Sequence, residues 1–596
     1  MVNERIQALR GEMEKRGMDI YMVPTADFHE SEYVGEYFKA RRFITGFTGS
    51  AGVAVITKKE SGLWTDGRYF IQAANQLKGS EVELYKMGVE GVPTVEEFIK
   101  EKLPEGGCLG FDGRVVNTAE GQNLEAIVRE KHGSLKVEED LIGLIWEDRP
   151  ALSKEPAWLL DETYAGESAQ SKMARVREEM EKAGADTHIL TSLDDIAWLF
   201  NIRGNDATHF PIVLSFVILT QDRAEFFVNK EVLNDTIRAA FREYGVTIRG
   251  YEEIYDAVKA IPETSHVWMD CSKVNYRITN SLPKGVEIIN RPNPTLLMKA
   301  VKNPTEIENI RKAHVKDGVA FTKYMYWLKT NIGKIPMTEI TTADYLADRR
   351  KEQENFVDLS FDTISAYQAN GAMMHYSATE ESCAQLKPEG FLLVDSGAHY
   401  LEGSTDITRT MALGPITEKQ KEYFTIVLRS NLNLAAAKFL YGCSGLNLDI
   451  LSRGPLWDLG LDYRCGTGHG IGYLLNVHEA PNGFRWKHVP ERNDGAILEA
   501  GMVTTDEPGV YLEGEFGIRT ENELICVEDE KNEYGQFMRF ETVTYAPIDL
   551  DAVDPEAMTK RERKLLNDYH KMVYEKVSPY LEPEEKEWLK KYTREI

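Results

Sequence analysis

The sequence predicts an α/β chain: two duplicated α/β domains followed by a larger, mixed α+β domain. Three observations carry that reading. A segment near the N-terminus recurs about 160 residues later, the mark of a duplicated unit. The length, 596 residues, suits about three domains. In the last third, acidic residues sit inside β-prone runs that read as two hairpins, with a glycine-cradled histidine between them.

Taken in order, the first helix places Ile6, Leu9 and Met13 on one face and ends at Gly17 as a C-cap. An apolar strand, Ile20–Val23, follows. Glu12-Met13-Glu14-Lys15-Arg16-Gly17-Met18-Asp19 recurs as Glu179-Met180-Glu181-Lys182-Ala183-Gly184-Ala185-Asp186. The second copy has its own helical face (Met173, Val176, Met180), its own closing Gly184 and its own strand, His188–Leu190. Val53–Thr57 matches Val217–Thr220 as a later strand. A whole recurring unit argues for duplicated domains rather than a solenoid. The first domain is expected over 1–152, with a join at Asp148-Arg149-Pro150. The second runs over 153–300, closing near Arg291-Pro292-Asn293-Pro294. The third, 301–596, opens on a capping box, Thr305-Glu306-Ile307-Glu308, at the head of a long helix.

Composition narrows the function classes. The content is that of a soluble globular protein, 42% hydrophobic and 28% charged. A net charge of −26 without a clustered Lys/Arg stripe argues against nucleic-acid binding. No apolar run reaches the roughly 20 residues of a membrane span. The charged start, MVNERIQALRGEMEKRG, lacks the apolar stretch of a signal peptide. Cys108, Cys271, Cys383, Cys443, Cys465 and Cys526 are scattered and form no CxxC pair, a reduced, cytoplasmic pattern.

Five residues in the third domain carry the chemistry: Asp395, Asp406, His469, Glu507 and Glu521. Acidic residues within apolar strand runs are costly unless paired or metal-bound. FLLVDSGAHY and STDITRTMAL read as strands turning at Glu402-Gly403, which sets Asp395 and Asp406 nearly opposite each other at about 5 Å between Cβ atoms. TTDEPGVYLEGEFGIRTENEL reads as a second hairpin whose first strand ends at Pro508-Gly509. Strand alternation puts Arg519 and Glu521 on one face of its second strand. The glycines around His469 permit close backbone approach. Four carboxylates and one imidazole suit two divalent cations such as Mn²⁺. Two metals roughly 3.5–4 Å apart can activate one water to hydrolyse a peptide bond. Cys465, four residues before His469, is either a sulfur ligand or a small buried residue.

VDSGAHYLEGSTDITRT, GTGHGIGYLLNVHEAP and EPGVYLEGEFGIRTENE resemble the Xaa-Pro aminopeptidases, within the pita-bread metallopeptidases. NPTEIENIRKAH, FTGSAGVAVIT, LWTDGRYFIQAA and NDYHKMVYEKVSPYL extend the likeness to the long, three-domain form. The resemblance implies two creatinase-N-like domains followed by a pita-bread catalytic domain. It implies that small peptides with proline at the second position lose their N-terminal residue through a water or hydroxide shared by two metals. It assigns Asp395 to one metal, His469 and Glu507 to the other, and Asp406 and Glu521 to both. Glu507 would also shuttle the proton, His375 and His478 would line the substrate site, and Arg519 would orient the carboxylates. Asp66 and Arg68 could reach the site's rim in a homodimer, and His399 has no assigned role. Two alternatives stay open: a prolidase acting on Xaa-Pro dipeptides, and a non-catalytic peptide- or histone-binding module. A metal-free creatinase-like enzyme is disfavoured by the intact ligand set.

Overall fold

The computed structural model describes residues 1–489 and 492–596. The duplication is one of topology. The first sheet runs in the order Val82–Lys86, Ser61–Thr65, Val53–Thr57, Ile20–Pro24, Cys108–Gly110, Ser134–Lys136. The second runs Val246–Gly250, Ala224–Val228, Ser215–Thr220, Thr187–Leu190, His266–Met269, Glu287–Asn290. Strand directions match as well: the two middle pairings on one side are antiparallel, and the rest are parallel. Even the register repeats, with Ile20 opposite Thr57 and Thr187 opposite Thr220.

The repeated helices form for the reason their spacing gives. Val2–Lys15 buries Ile6, Leu9 and Met13, and Ala169–Ala183 buries Met173, Val176 and Met180. Gly184 closes the second helix at φ +72°, a left-handed cap that a side chain would resist.

Contacts group Met1–Leu160 with Glu167–Thr295 as one compact unit, and Asp161–Gly166 with Leu296–Ile596 as another. Within the first unit the two α/β domains meet at equivalent positions. Asn117 lies opposite Asn275 in an antiparallel bridge. Thr118 N–H donates to the Val274 carbonyl, and Tyr276 N–H donates to the Val116 carbonyl, both at 2.8 Å. Each asparagine also caps its own helix, Thr118–Glu130 or Tyr276–Ser281.

The second unit is organised around the helix Pro304–Asn331. Its capping box is Asn303 with Glu306, two residues earlier than the sequence suggests, because Pro304 at the first helical position needs no N–H partner. One three-stranded sheet holds Ile364–Tyr367, Phe391–Ser396 and Ile407–Ala412, and a six-stranded sheet includes Val503–Asp506, Asn522–Asn532 and Gly468–Gly470. Helices Glu418–Ala435 and Lys560–Val577 close over a core that includes Phe424, Val427, Leu428, Ile518, Leu566 and Val573. Among the described residues, no helix is long and apolar enough to cross a membrane.

Both hairpins form, with altered turns. Tyr400 pairs with Gly403, so the first turn is Leu401-Glu402 rather than Glu402-Gly403. In the second, Pro508 interrupts a leg that resumes as Gly509–Leu512, and the chain reverses at Glu513-Gly514-Glu515. Proline lacks a ladder donor, so it breaks the strand without ending it.

Candidate metal centre

Asp395 lies in the central strand of the three-stranded sheet, opposite Ile364 on one side and Thr408 on the other. Asp406 is therefore its diagonal neighbour, one pair beyond the end of that ladder. His469 stands in the short strand Gly468–Gly470, pinned between two others. Its flanking glycines are required by that crowding. A Cβ on Gly468 would lie 1.8 Å from the Thr505 carbonyl oxygen, and one on Gly470 would lie 2.2 Å from that of Glu479.

Asp406, His469 and Glu521 each offer a ligand atom, all within 4.8 Å of one another. His469 Nε2 lies 3.6 Å from Asp406 Oδ2 and 3.5 Å from Glu507 Oε1. Its Nδ1 is 3.0 Å from the Gly470 carbonyl, which can only accept. Nδ1 therefore carries the proton and leaves the Nε2 lone pair facing the carboxylates, the tautomer a metal ligand needs.

Arg519 joins Asp395 to the group. It donates through Nη2 to Asp395 Oδ2 at 2.6 Å, through Nη1 to the Tyr511 hydroxyl at 2.7 Å, and through Nε to Thr408 Oγ1 at 3.2 Å. The Thr408 hydroxyl in turn donates to Glu521 Oε2 at 2.6 Å, so Arg519 and Glu521 converge on one face as alternation requires. Thr505 accepts from the His469 N–H at 2.9 Å and donates to Glu507 at 3.3 Å.

The electrostatics without a cation are unfavourable. Burial, then the neighbouring carboxylates Glu521, Asp395, Glu507 and Glu523, push Asp406 well above the usual carboxylate range. Burial, then Glu507 and Asp395, do the same to Glu521. Glu507 is pushed up to about 7, chiefly by burial, with Arg519 opposing and Asp395 adding to the rise. Asp395 Oδ1 and Asp406 Oδ1 are buried without any hydrogen-bond partner. Buried oxygens of this kind demand a partner, and hard divalent cations fit the donor set.

The remaining expected residues fall as follows. The His478 ring is 4.3 Å from that of His469, edge to face. The next residue, Glu479, is buried and pairs with Lys302 and, at 3.5 Å, with Lys299, which fixes the loop. His375 is exposed, just past the 3₁₀ turn Gln368–Ala372, whose Gly371 packs directly on Gly517. Cys465 is a protonated thiol, pushed up to about 12 by burial, and lies outside the ligand cluster among the described residues. His399 is buried and meets Ser404 Oγ at 2.8 Å. Arg68 pairs with Asp66 through two hydrogen bonds of 2.7 and 2.8 Å in the first unit.

Sequence reasoning missed Glu523 and His314. Both are fully buried; Glu523 Oε1 accepts the Asp406 N–H at 2.7 Å and Glu523 Oε2 meets His314 Nε2 at 3.0 Å. The available signal was a second acid, two residues past Glu521, heading the apolar strand segment Leu524-Ile525-Cys526.

Family models match four stretches. The creatinase/prolidase N-terminal domain matches residues 5–140 and again, through a second model, 148–306. Metallopeptidase family M24 matches 308–528, and the C-terminal region of peptidase_M24 matches 536–596. A probable Xaa-Pro aminopeptidase P from Botryotinia fuckeliana is 38% identical, over 98% of this chain and 91% of that protein. Aminopeptidase P1 from Arabidopsis thaliana is 36% identical, over 100% and 99%. The X-prolyl aminopeptidase from Caenorhabditis elegans, described as a cytosolic enzyme with a di-nuclear active site, matches with a TM-score of 0.94 at 32% identity, covering 100% of both chains. The Xaa-Pro dipeptidase from Bacillus anthracis matches with a TM-score of 0.51 at 25% identity and covers 64% of this chain and 99% of its own.

Proposed function

This chain belongs to the Xaa-Pro aminopeptidases of metallopeptidase family M24, and we propose that it removes the N-terminal residue of peptides whose second residue is proline, using two divalent metal ions. The observation that carries the reading is the Asp406–His469–Glu521 cluster, flanked by Glu507 and Asp395, in which Asp395 Oδ1 and Asp406 Oδ1 are buried without a hydrogen-bond partner. A bound metal pair supplies the positive charge that acidifies a water to near neutrality and polarises a carbonyl oxygen.

The protein's own groups divide the remaining work. Asp395 reads as a ligand of one metal, His469 with Glu507 of the other, and Asp406 with Glu521 as shared ligands. Arg519 grips Asp395 Oδ2 and leaves Oδ1 free to coordinate. Glu507, whose Oε1 lies 3.5 Å from His469 Nε2, is suited to accept a proton at Oε and return it to the departing amine. His478, held beside His469, and His375 on its exposed loop read as imidazole donors to the developing oxyanion.

Mn²⁺ fits an oxygen-rich set with one imidazole. We read residues 1–152 and 153–300 as creatinase-like domains and 301–596 as the catalytic domain. The assembly reads as a homodimer. Exposed Trp457 and Trp486 meet edge to face, an exposed aromatic pair of the kind an interface covers. Cytoplasmic placement is supported by scattered, unpaired cysteines.

Hydrolysis of Arg-Pro-Pro, Arg-Ala-Pro and Gly-Pro tests the reading. We expect turnover of the first, little of the second, and loss of activity on chelation with recovery on adding Mn²⁺. Equal rates on the first two would sink the proline requirement, and preference for the dipeptide would favour the prolidase reading. Light scattering that returns the 67.6 kDa monomer mass would exclude the dimer.

A further inference from the structure

We infer that Glu523, buttressed by His314, is the positioning residue that sets Asp406 for metal sharing. The inference rests on the metal reading above and extends it to two residues that contact no proposed metal.

Asp406 sits just before the strand Ile407–Ala412, where the ladder to Phe391–Ser396 has ended at the Ser396–Ile407 pair. Its N–H therefore has no backbone partner, and in a buried place an unpaired N–H is costly. The Glu523 carboxylate takes that N–H at 2.7 Å. Glu523 belongs to a different sheet, opposite Thr505 in the ladder between Val503–Asp506 and Asn522–Asn532. Its own backbone is fixed on both sides: its N–H donates to Thr544 Oγ1 at 2.8 Å, and its carbonyl accepts from Val543 at 3.0 Å. A single side chain thus spans the two sheets that carry Asp406 and Glu521.

His314 completes the device from the central helix. Its Nε2 lies 3.0 Å from the second Glu523 oxygen, while its Nδ1 is buried without a partner. A bare nitrogen lone pair is cheaper to leave unpaired in an apolar place than an N–H, so Nε2 carries the proton and donates. Both carboxylate oxygens of Glu523 are then used, and the rotamer is fixed. The preceding residue is held too, since the Thr405 carbonyl accepts the Ser360 hydroxyl at 2.8 Å. What stays free is the Asp406 side chain, whose Oδ1 has no protein partner. The arrangement fixes the backbone and leaves the ligand oxygen open.

The test compares wild type with Glu523→Ala, Glu523→Gln and His314→Leu. Mn²⁺ dissociation constants are measured by competition with a chelating dye, alongside the melting temperature of each metal-free protein and kcat and KM at saturating Mn²⁺. Outer partners of metal ligands typically contribute about 10–100-fold to metal affinity. We expect Glu523→Ala to weaken Mn²⁺ binding by that order with KM unchanged. Glu523→Gln keeps an oxygen acceptor for the Asp406 N–H but turns an amide toward His314, whose other tautomer would leave Nδ1–H unpaired, so it should recover part of the loss. His314→Leu should fall between them.

A merely structural role would lower the melting temperature and leave the Mn²⁺ constants alone; that result overturns the inference. So does Glu523→Gln binding as poorly as Glu523→Ala. If Glu523→Ala fails to fold, unchanged Mn²⁺ affinity in His314→Leu overturns it equally. A wild-type chain that binds no Mn²⁺ overturns the metal reading and this inference together. Two-metal wild type beside an unaffected Glu523→Ala overturns this inference alone.

Discussion

The metal-free protein should lose stability as pH rises, and Glu507 is where the loss is most readily measured. Its carboxyl is pushed from 4.5 up to about 7 in the folded chain, chiefly by burial. A raised acid binds more protons folded than unfolded between those two values. The contribution is therefore complete below about 4.5 and disappears as pH climbs through 7. At about 1.4 kcal/mol per pH unit, the cost to the metal-free fold at pH 8 is about 3 kcal/mol. That figure is an upper bound, because the side chain is 20% exposed. Asp406 and Glu521, also raised, carry the decline to higher pH. Glu30 and Glu120 in the first unit are pushed up to about 7 and 8, so total slope alone does not isolate the site. The decisive comparison is Glu507→Gln, which cannot ionise. By calorimetry after metal removal, the variant should match wild type at pH 5 and melt higher at pH 8. At about 2 °C per kcal/mol for a domain of this size, the gain is at most about 6 °C. In wild type, Mn²⁺ at about 100 times its dissociation constant should restore about 2.7 kcal/mol. Parallel pH profiles for metal-free wild type and Glu507→Gln would refute the reasoning.

Asp406→Asn and Glu521→Gln should lose metal as well as activity, because removing a shared anion leaves two dications poorly compensated; metal analysis beside kcat decides. His375→Ala should keep both metals and lose about 10²–10³ in kcat, the usual effect of one missing oxyanion donor; loss of its metals would refute the assignment. Gly468→Ala should fail to assemble the site, since its Cβ would lie 1.8 Å from the Thr505 carbonyl oxygen; near-wild-type metal content in the soluble variant would contradict it. Asp317→Ala strands the fully buried Arg350, which it holds at 2.7 and 3.0 Å, and should cost about 3–5 kcal/mol in denaturant unfolding.

The duplication was legible because its signals are local: one helical face, one capping glycine and one apolar strand in each copy. The sheet order was not, because strand pairing joins residues far apart in sequence. The candidate cluster was legible because acids are expensive in or beside apolar strands, and Asp395, Asp406 and Glu521 stand out there. The turn at Leu401-Glu402 was misplaced by one residue because turn propensity favours the neighbouring Gly403, which instead pairs with Tyr400. The start of the long helix was shifted for a related reason: Thr305 and Asn303 are both good caps, and only the Pro304 position decides between them. Glu523 escaped notice because its partners, Asp406 and His314, lie more than a hundred residues away, in contacts that no local pattern reports.

The reciprocal bridge between Asn117 and Asn275 makes the two α/β copies a dimer on one polypeptide. Two separate chains meeting there would have to find each other by diffusion. Here the connecting segment holds the partner at an effective concentration in the millimolar range, so association is a first-order event that dilution does not reverse. Each copy is also free to drift in sequence, as 114–118 and 272–276 have done, because a change in one is no longer mirrored in the other. The paired main-chain hydrogen bonds relate the two copies as a two-fold axis would, although one polypeptide need not keep that symmetry in its side chains.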